Sequence, residues 1–348
     1  MTTRRTLLTA ALTVPMAGAW AAPALAAPAR LTLPRPTGPH RIGTMSLLLD
    51  RKFMVSVWYP ARDIRRHPPA PWMPAASMRA LLADNGFDAD VAAPLSVGHE
   101  GAPATGRWPV ILYSHGAGSH RSDTTVIVQE LASHGYVVVT VDHSHDSYSQ
   151  LPDGRVLVPD DISATPWDHA HDLRLVVDWI EDLAAGRRRL PVALGPALDT
   201  SRIGVYGWSK GGTAAALLMN SDRRVRAGLS LDAPMLSQPP VTDLYRPFML
   251  MTAENVPGGE ESGVAEMWPL LHGWRRQLHV KDASHDSFND HHWLIPQLTG
   301  DAGGFDPAQA VRIQQAYPLA FFELHLRNRR QRLLEAPSPA FTEVEFIG

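Results

Sequence analysis

Residues 205–212 read VYGWSKGG, and the five from Gly207 to Gly211 fit the pattern Gly-x-Ser-x-Gly. The pattern alone is common, so its setting decides the fold. RIGVYG (202–207) has the composition of a strand running into the motif, and KGGTAAALLMN (210–220) that of a helix leaving it. Ser209 therefore falls on a strand-to-helix turn, where the serine backbone is strained and a side chain at Gly207 or Gly211 would collide across the bend. Its hydroxyl would project from the carboxyl end of a sheet, over a helix N-terminus that favours negative charge. The competing reading is a serine that only caps a helix in a glycine-rich turn.

Outward from the motif, short apolar runs recur without long alternation: VILYS (110–114), YVVVTVD (136–142), AGLSLD (227–232), PFMLMTA (247–253) and QLHVK (277–281). Runs of this kind suit parallel strands covered on both faces. Helical patterns lie between them. At TPWD, Thr165 can cap, Pro166 suits the first turn and Asp168 can close a capping box; Ala170, Leu173, Val176, Val177, Ile180 and Leu183 then form one apolar face. A last helix opens at Asp306 and Pro307, turns Phe321, Phe322 and Leu324 inward, and should bend or break at Pro318. Two earlier strands, TMSLLLD and FMVSVWYP, join through a turn around Asp50 to Lys52. Strands alternating with helices predict an α/β domain with a central, mostly parallel sheet flanked by helices.

The expected organisation is an export signal over 1–26 and one domain over 27–348, with an insertion around 61–109. That insertion is proline-rich, contains a short helix at SMRALLAD, and reads as surface decoration rather than core. The signal combines Arg4 and Arg5, a weakly apolar stretch and a small-x-small site ending at Ala26, the layout of twin-arginine export and hence of a secreted protein. No later run is long and apolar enough to cross a bilayer. With no cysteine in the chain, disulfides, thiolate nucleophiles and cysteine-ligated zinc are excluded. A formal charge of −3 with no basic stripe argues against nucleic acid as a partner.

A serine hydroxyl near neutral pH needs a histidine to take its proton and an acid to orient that histidine. In folds with this turn the order is nucleophile, acid, histidine, each after a strand. His285, in KDASHDSF after the last core strand, is the expected base, and His279 within that strand is a packing or surface residue. Asp232 after GLSL and Glu254 in MTAEN both satisfy the position of the acid. The oxyanion donors should be the backbone N–H of Lys210, directly after the serine, and that of Ala117 in the loop SHGAGSHRS, where Gly116 and Gly118 allow close backbone approach.

ILYSHGAGSHRSDTTVIVQELASHGYVVVTVDHSHD, VYGWSKGG, LSLDAPM and SHDSF resemble, in order, the signature segments of the α/β-hydrolases related to plasma-type platelet-activating factor acetylhydrolase; FMVSVWYPA and PWMP resemble that family's opening segments. The resemblance spans about residues 38–325 and implies the α/β-hydrolase fold, with Ser209 as nucleophile, Asp232 rather than Glu254 as acid, His285 as base, and the amides of Ala117 and Lys210 as oxyanion donors. The chain departs from the family at Ala117, where a leucine or similar residue is usual, and at Trp208, where a histidine is usual. A secreted serine ester hydrolase acting on short-acyl esters such as acetyl phospholipids is the implied activity. General esterase, lipase or polyester hydrolase is the alternative, and an inactive hydrolase fold serving as a binding module is a remote one.

No cofactor is expected and no catalytic metal. DHSHDS (142–147) and the pair His291, His292 look like ligand clusters, but H-E-x-x-H is absent and a hydrogen-bonded rim accounts for them equally. Absence of S-x-x-K argues against a β-lactamase type of site. Trp208, Met235, Phe248 and Trp293 are candidates for apolar pocket walls.

Overall fold

The computed structural model describes residues 31–88, 90–255 and 263–347; the export-signal segment lies outside them. The chain opens with β1 (Ile42–Leu49) and β2 (Phe53–Pro60), paired antiparallel. They turn through Asp50 and Arg51 at φ 45° and 62°, the positive-φ pair of a tight hairpin turn. Next come β3 (Pro69–Pro71), α1 (Ala75–Asp84) and β4 (Leu95–Glu100). The alternating part follows: β5 (Trp108–Ser114), α2 (Thr125–Ser133), β6 (Val137–Val141), a hairpin of β7 (Ser149–Gln150) and β8 (Val156–Leu157), α3 (Pro166–Ala184), β9 (Leu198–Trp208) and α4 (Lys210–Ser221). It continues with β10 (Val225–Leu231), β11 (Phe248–Asn255), the short α5 (Val264–Met267), β12 (Arg275–Ser284), α6 (His291–Thr299), α7 (Pro307–Arg327) and β13 (Val344–Ile347).

One 11-stranded sheet runs in the order β13-β12-β11-β10-β9-β5-β6-β2-β1-β4-β3. From β6 through β5, β9, β10 and β11 to β12 all pairings are parallel, while β2, β3 and β13 join antiparallel. This is the α/β-hydrolase architecture. Chain order switches at β5, with β6 on one side and β9 on the other. Loops leaving the carboxyl ends of strands diverge at such a switch and open a crevice.

The apolar runs are continuous because alternate residues enter opposite layers. Val110 and Leu112 of β5 pack in one cluster with Leu173, Val177 and Ile180 of α3 and Leu217 of α4. Ile111 and Tyr113, one residue on, pack in a second with Ile127 and Leu131 of α2 and Phe321 and Phe322 of α7. Both faces are thus dry, as a parallel sheet requires. Both helix starts form as the residues predict: Thr165 and Asp168 exchange capping bonds, and Asp306 accepts from the Ala308 amide at 2.9 Å. Pro318 does not break α7, which runs unbroken to Arg327. Proline removes only one ladder bond, and both faces of this helix segment are held by packing, with Tyr317, Phe321 and Phe322 fully buried. Leu324 is half-buried and packs against the second cluster, to which the buried Leu326 also belongs.

The insertion is not surface decoration. Trp72, Met73, Met78 and Leu82 are buried and form a third cluster with Leu31, Tyr148 and Leu294 of α6. The Trp72 indole donates to the buried Asp290 carboxylate at 2.8 Å, while β3 and β4 extend the sheet at its far edge. Met78, Leu81 and Leu82 share one face of the short helix read at SMRALLAD, but Trp72 and Met73 lie among prolines off that period, so the sequence pattern hides their common direction.

His325 on α7 gives the fold a pH dependence. Its ring packs against Trp274 and Phe321, with centroids at 4.4 and 4.8 Å, and its Nε2 has no hydrogen-bond partner among the described residues. Burial lowers its pKa to about 4. Between about pH 6.5 and 4 the unfolded chain therefore binds a proton there that the fold refuses, and stability falls as pH falls through that window. His325→Leu should raise the melting temperature, more at pH 5 than at pH 8. Thermal unfolding at the two pH values checks this, and an equal gain at both would refute it.

Candidate active site

Ser209 stands between β9 and α4 at φ 54° and ψ −128°, a conformation that non-glycine residues rarely adopt. The turn is held from both sides. A Cβ on Gly207 would lie 2.1 Å from the Gly211 backbone, and one on Gly211 would lie 2.0 Å from the Ser114 carbonyl oxygen. The Ser209 N–H donates to Leu231 O of the neighbouring β10 at 2.9 Å, so sheet pairing fixes the strained residue.

β10 ends one residue before Asp232, itself at φ 48° with its N–H on Met251 O at 2.7 Å. Its carboxylate is divided between two tasks. Oδ1 accepts from the Ala253 N–H at 2.8 Å, and Oδ2 accepts from His285 Nδ1 at 2.6 Å. A donating Nδ1 leaves His285 Nε2 free as a proton acceptor. His285 opens the 3₁₀ turn that follows β12, and Trp208 steadies it: the indole donates to the His285 carbonyl at 3.0 Å and the rings lie 4.7 Å apart. Ser209, His285, Ala117 and Trp208 line one cavity of about 280 Å³. Ser209 and His285 share its wall without a hydrogen bond; such contacts often tighten only when substrate binds.

The loop after β5 closes the other side. Gly116 has no room for a side chain, since a Cβ would meet the Trp208 ring at 2.6 Å. The Gly118 N–H is committed to Asp146 Oδ1 at 2.9 Å. Ala117 N–H makes no hydrogen bond to the protein among the described residues, and Lys210 N–H is the first of α4, with no intrahelical acceptor. Two unengaged donors therefore flank Ser209, one from each segment. The Lys210 ammonium is also engaged, on Asp146 Oδ2 at 2.6 Å and the Ala164 carbonyl at 2.8 Å.

Glu254, the other acid considered, is exposed and accepts from the Asp282 N–H, away from His285. His279 faces Thr252 Oγ1 at 3.2 Å. Of the four wall candidates, only Trp208 lines the cavity; Met235 and Phe248 are core residues, and Trp293 packs on the third cluster and donates to Thr32 O. The remaining wall comes from residues that sequence reading missed: Trp72, Met78, Leu82 and Phe87 of the insertion, with Leu294 and Leu298 of α6. His291 lines the cavity, while His292 Nε2 donates to the Phe305 carbonyl at 3.0 Å; among the described residues no group of three or more acidic or histidine side chains is arranged to hold a metal.

Beneath this site runs a second Ser-His-Asp chain. Ser114 Oγ lies 2.9 Å from His143 Nε2, and His143 Nδ1 lies 3.0 Å from Asp172 Oδ2. The His143 and His169 rings stack at 3.6 Å, and Ser114 Oγ also meets His169 Nδ1 at 3.3 Å. Ser114 is 0% exposed and His143 1%, and neither lines the cavity. Burial pushes both histidines well below their usual pKa and raises Asp172 to about 6.

The family described as platelet-activating factor acetylhydrolase, isoform II, matches residues 25–151 and 192–333. Among curated proteins, a probable 1-alkyl-2-acetylglycerophosphocholine esterase of Arthroderma benhamiae is 25% identical over 92% of this chain and 95% of its own length. The platelet-activating factor acetylhydrolase of Cavia porcellus is 22% identical over 85% of this chain and 78% of its own. A solved ferulic acid esterase from Streptomyces cinnamoneus superposes with a TM-score of 0.75 at 32% identity, covering 90% of this chain and 98% of that one.

Proposed function

Since the chain belongs to the platelet-activating factor acetylhydrolase isoform II family and is a serine ester hydrolase of the α/β fold, we propose that it cleaves carboxylic esters through Ser209, His285 and Asp232. The observation that carries this reading is the shared cavity: the strained serine, a histidine already oriented by a buried carboxylate and Ala117 with its unengaged amide all line it, and the Lys210 amide directly follows the serine at the start of α4. His285 Nε2 takes the proton as Ser209 Oγ attacks the ester carbonyl, and Asp232 holds the tautomer and stabilises the imidazolium. The Ala117 and Lys210 amides receive the oxyanion. His285 then protonates the departing alkoxide, and water activated by the same histidine releases the acid from the acyl-enzyme.

For the substrate, a general esterase accepting bulky apolar or aromatic groups is better supported than an acetyl-specific enzyme. The cavity has a volume near the lower end of small-molecule sites and a wall of tryptophan, phenylalanine, methionine and leucine, more than an acetyl group would fill. The ferulic acid esterase is also the relative with the higher identity, 32% against 25% and 22%. Acetyl phospholipid is the second reading, favoured by the names of the curated relatives. A hydrolysis panel separates them: p-nitrophenyl esters of rising acyl length, methyl ferulate, acetyl and long-chain phospholipids, and a polyester film. Turnover of bulky acyl or aryl esters is expected, and strict preference for acetyl phospholipid would select the second reading. A fluorophosphonate probe, with the adduct located by peptide mass spectrometry, should label Ser209 and leave Ser114 untouched.

A further inference from the structure

We infer that Asp146 is a positioning residue for the oxyanion site, a single carboxylate that holds the two amide-bearing segments in register. The inference rests on the assignment of Ser209 and the two amides above. Asp146 sits in the histidine- and aspartate-rich loop after β6 and is 5% exposed. Its Oδ1 accepts from the Gly118 N–H at 2.9 Å, the amide next to Ala117. Its Oδ2 accepts from Lys210 Nζ at 2.6 Å and faces His169 Nε2 at 3.0 Å. The same lysine carries the second oxyanion amide on its backbone. One buried side chain thus bridges the loop after β5 and the turn after β9.

The bridge is rigid at both ends. Lys210 Nζ is held on its far side by the Ala164 carbonyl at 2.8 Å, and His169 is fixed by its stack on His143. The neighbouring Ser119 is pinned too, its hydroxyl on Asp123 and its carbonyl accepting from the Tyr148 N–H at 3.0 Å. Burial would raise the Asp146 pKa, but the bonds from His169 and Lys210 prevail and hold it well below the usual carboxylate range. It stays an acceptor on both oxygens. Engaging the Gly118 N–H takes it away from substrate and leaves the unengaged Ala117 N–H beside it. Without the bridge, the two donors lose their common reference, and displacements of about 1 Å can cost on the order of a hundredfold in rate.

Asp146→Asn tests this, because the amide nitrogen cannot accept from Lys210 or His169. Rates are taken per active site, titrated with the fluorophosphonate, so that partial unfolding does not count as slow chemistry. Expected results are a kcat lower by about 10- to 100-fold with KM changed less than about twofold. A trifluoromethyl ketone, which forms a tetrahedral oxyanion on the serine, should bind weaker by a similar factor, while its non-electrophilic alcohol isostere binds unchanged. Lys210→Met, which keeps the backbone amide, gives a second route if Asp146→Asn folds poorly: it should show the same selective loss against the ketone, and the double variant less than the product of the two effects. Wild-type kcat per site, or equal weakening of ketone and isostere in both single variants, would overturn the role of Asp146. Failure of the probe to label Ser209 in the unaltered protein would instead overturn the site assignment beneath it.

Discussion

Ser209→Ala should lower kcat at least about a thousandfold and leave the melting temperature unchanged within about 1 °C. Alanine keeps the Cβ that the turn already tolerates, so the strain at φ 54° and the bond from the residue 209 N–H to Leu231 O are unaltered. Only Oγ is lost. Residual hydrolysis would come from the amides of Ala117 and Lys210 acting on bound ester. Steady-state kinetics with a p-nitrophenyl ester and a thermal melt check both halves. Ser114→Ala is the matched control. It removes a fully buried hydroxyl shared between His143 and His169, so it should cost roughly 1–2 kcal/mol of stability and leave most of the activity. The opposite outcome, with Ser209→Ala active and Ser114→Ala folded but dead, would move the nucleophile to the buried chain.

The parts of the site that the sequence discloses are those set by local rules. Gly207 and Gly211 are legible because the turn has no space for a Cβ, and Thr165 with Asp168 because a capping box spans four residues. Core strands are legible because burial on two faces writes itself as an unbroken apolar run. Asp232 and Glu254 both stand at the carboxyl ends of strands, and spacing alone leaves them open; the family resemblance favours Asp232, and in the fold it is Asp232 that meets His285, whereas Glu254 is exposed on the Asp282 amide.

What long-range packing decides stayed hidden. Met78 and Leu82 share a helix face that the sequence discloses, but they and Trp72 form one wall only after the insertion has folded against α6. The Lys210 ammonium meets Asp146, 64 positions earlier, in a bridge that no local pattern announces. From the sequence, Trp208 is a candidate apolar wall. Its indole in fact braces the histidine, donating to the His285 carbonyl, while its edge forms part of the cavity.

Asp232→Asn should lower kcat by about 10³- to 10⁴-fold with little change in KM, though it alters no atom that touches substrate. The Ala253 N–H fixes which way the asparagine turns, because it donates to the Oδ1 position and so requires an oxygen there. The amide nitrogen is then left facing His285 Nδ1 in place of the oxygen that stands 2.6 Å away. As a donor it demands a lone pair on Nδ1, which puts the imidazole proton on Nε2, where Ser209 needs an acceptor. The turn itself should survive, since asparagine tolerates the positive φ of 48° better than most residues. Glu254→Gln is the comparison: its carboxylate is exposed and serves the Asp282 amide, so kcat should stay within about twofold. If instead Glu254→Gln were the slow variant and Asp232→Asn kept more than a tenth of the activity, the histidine would have to change partners during turnover.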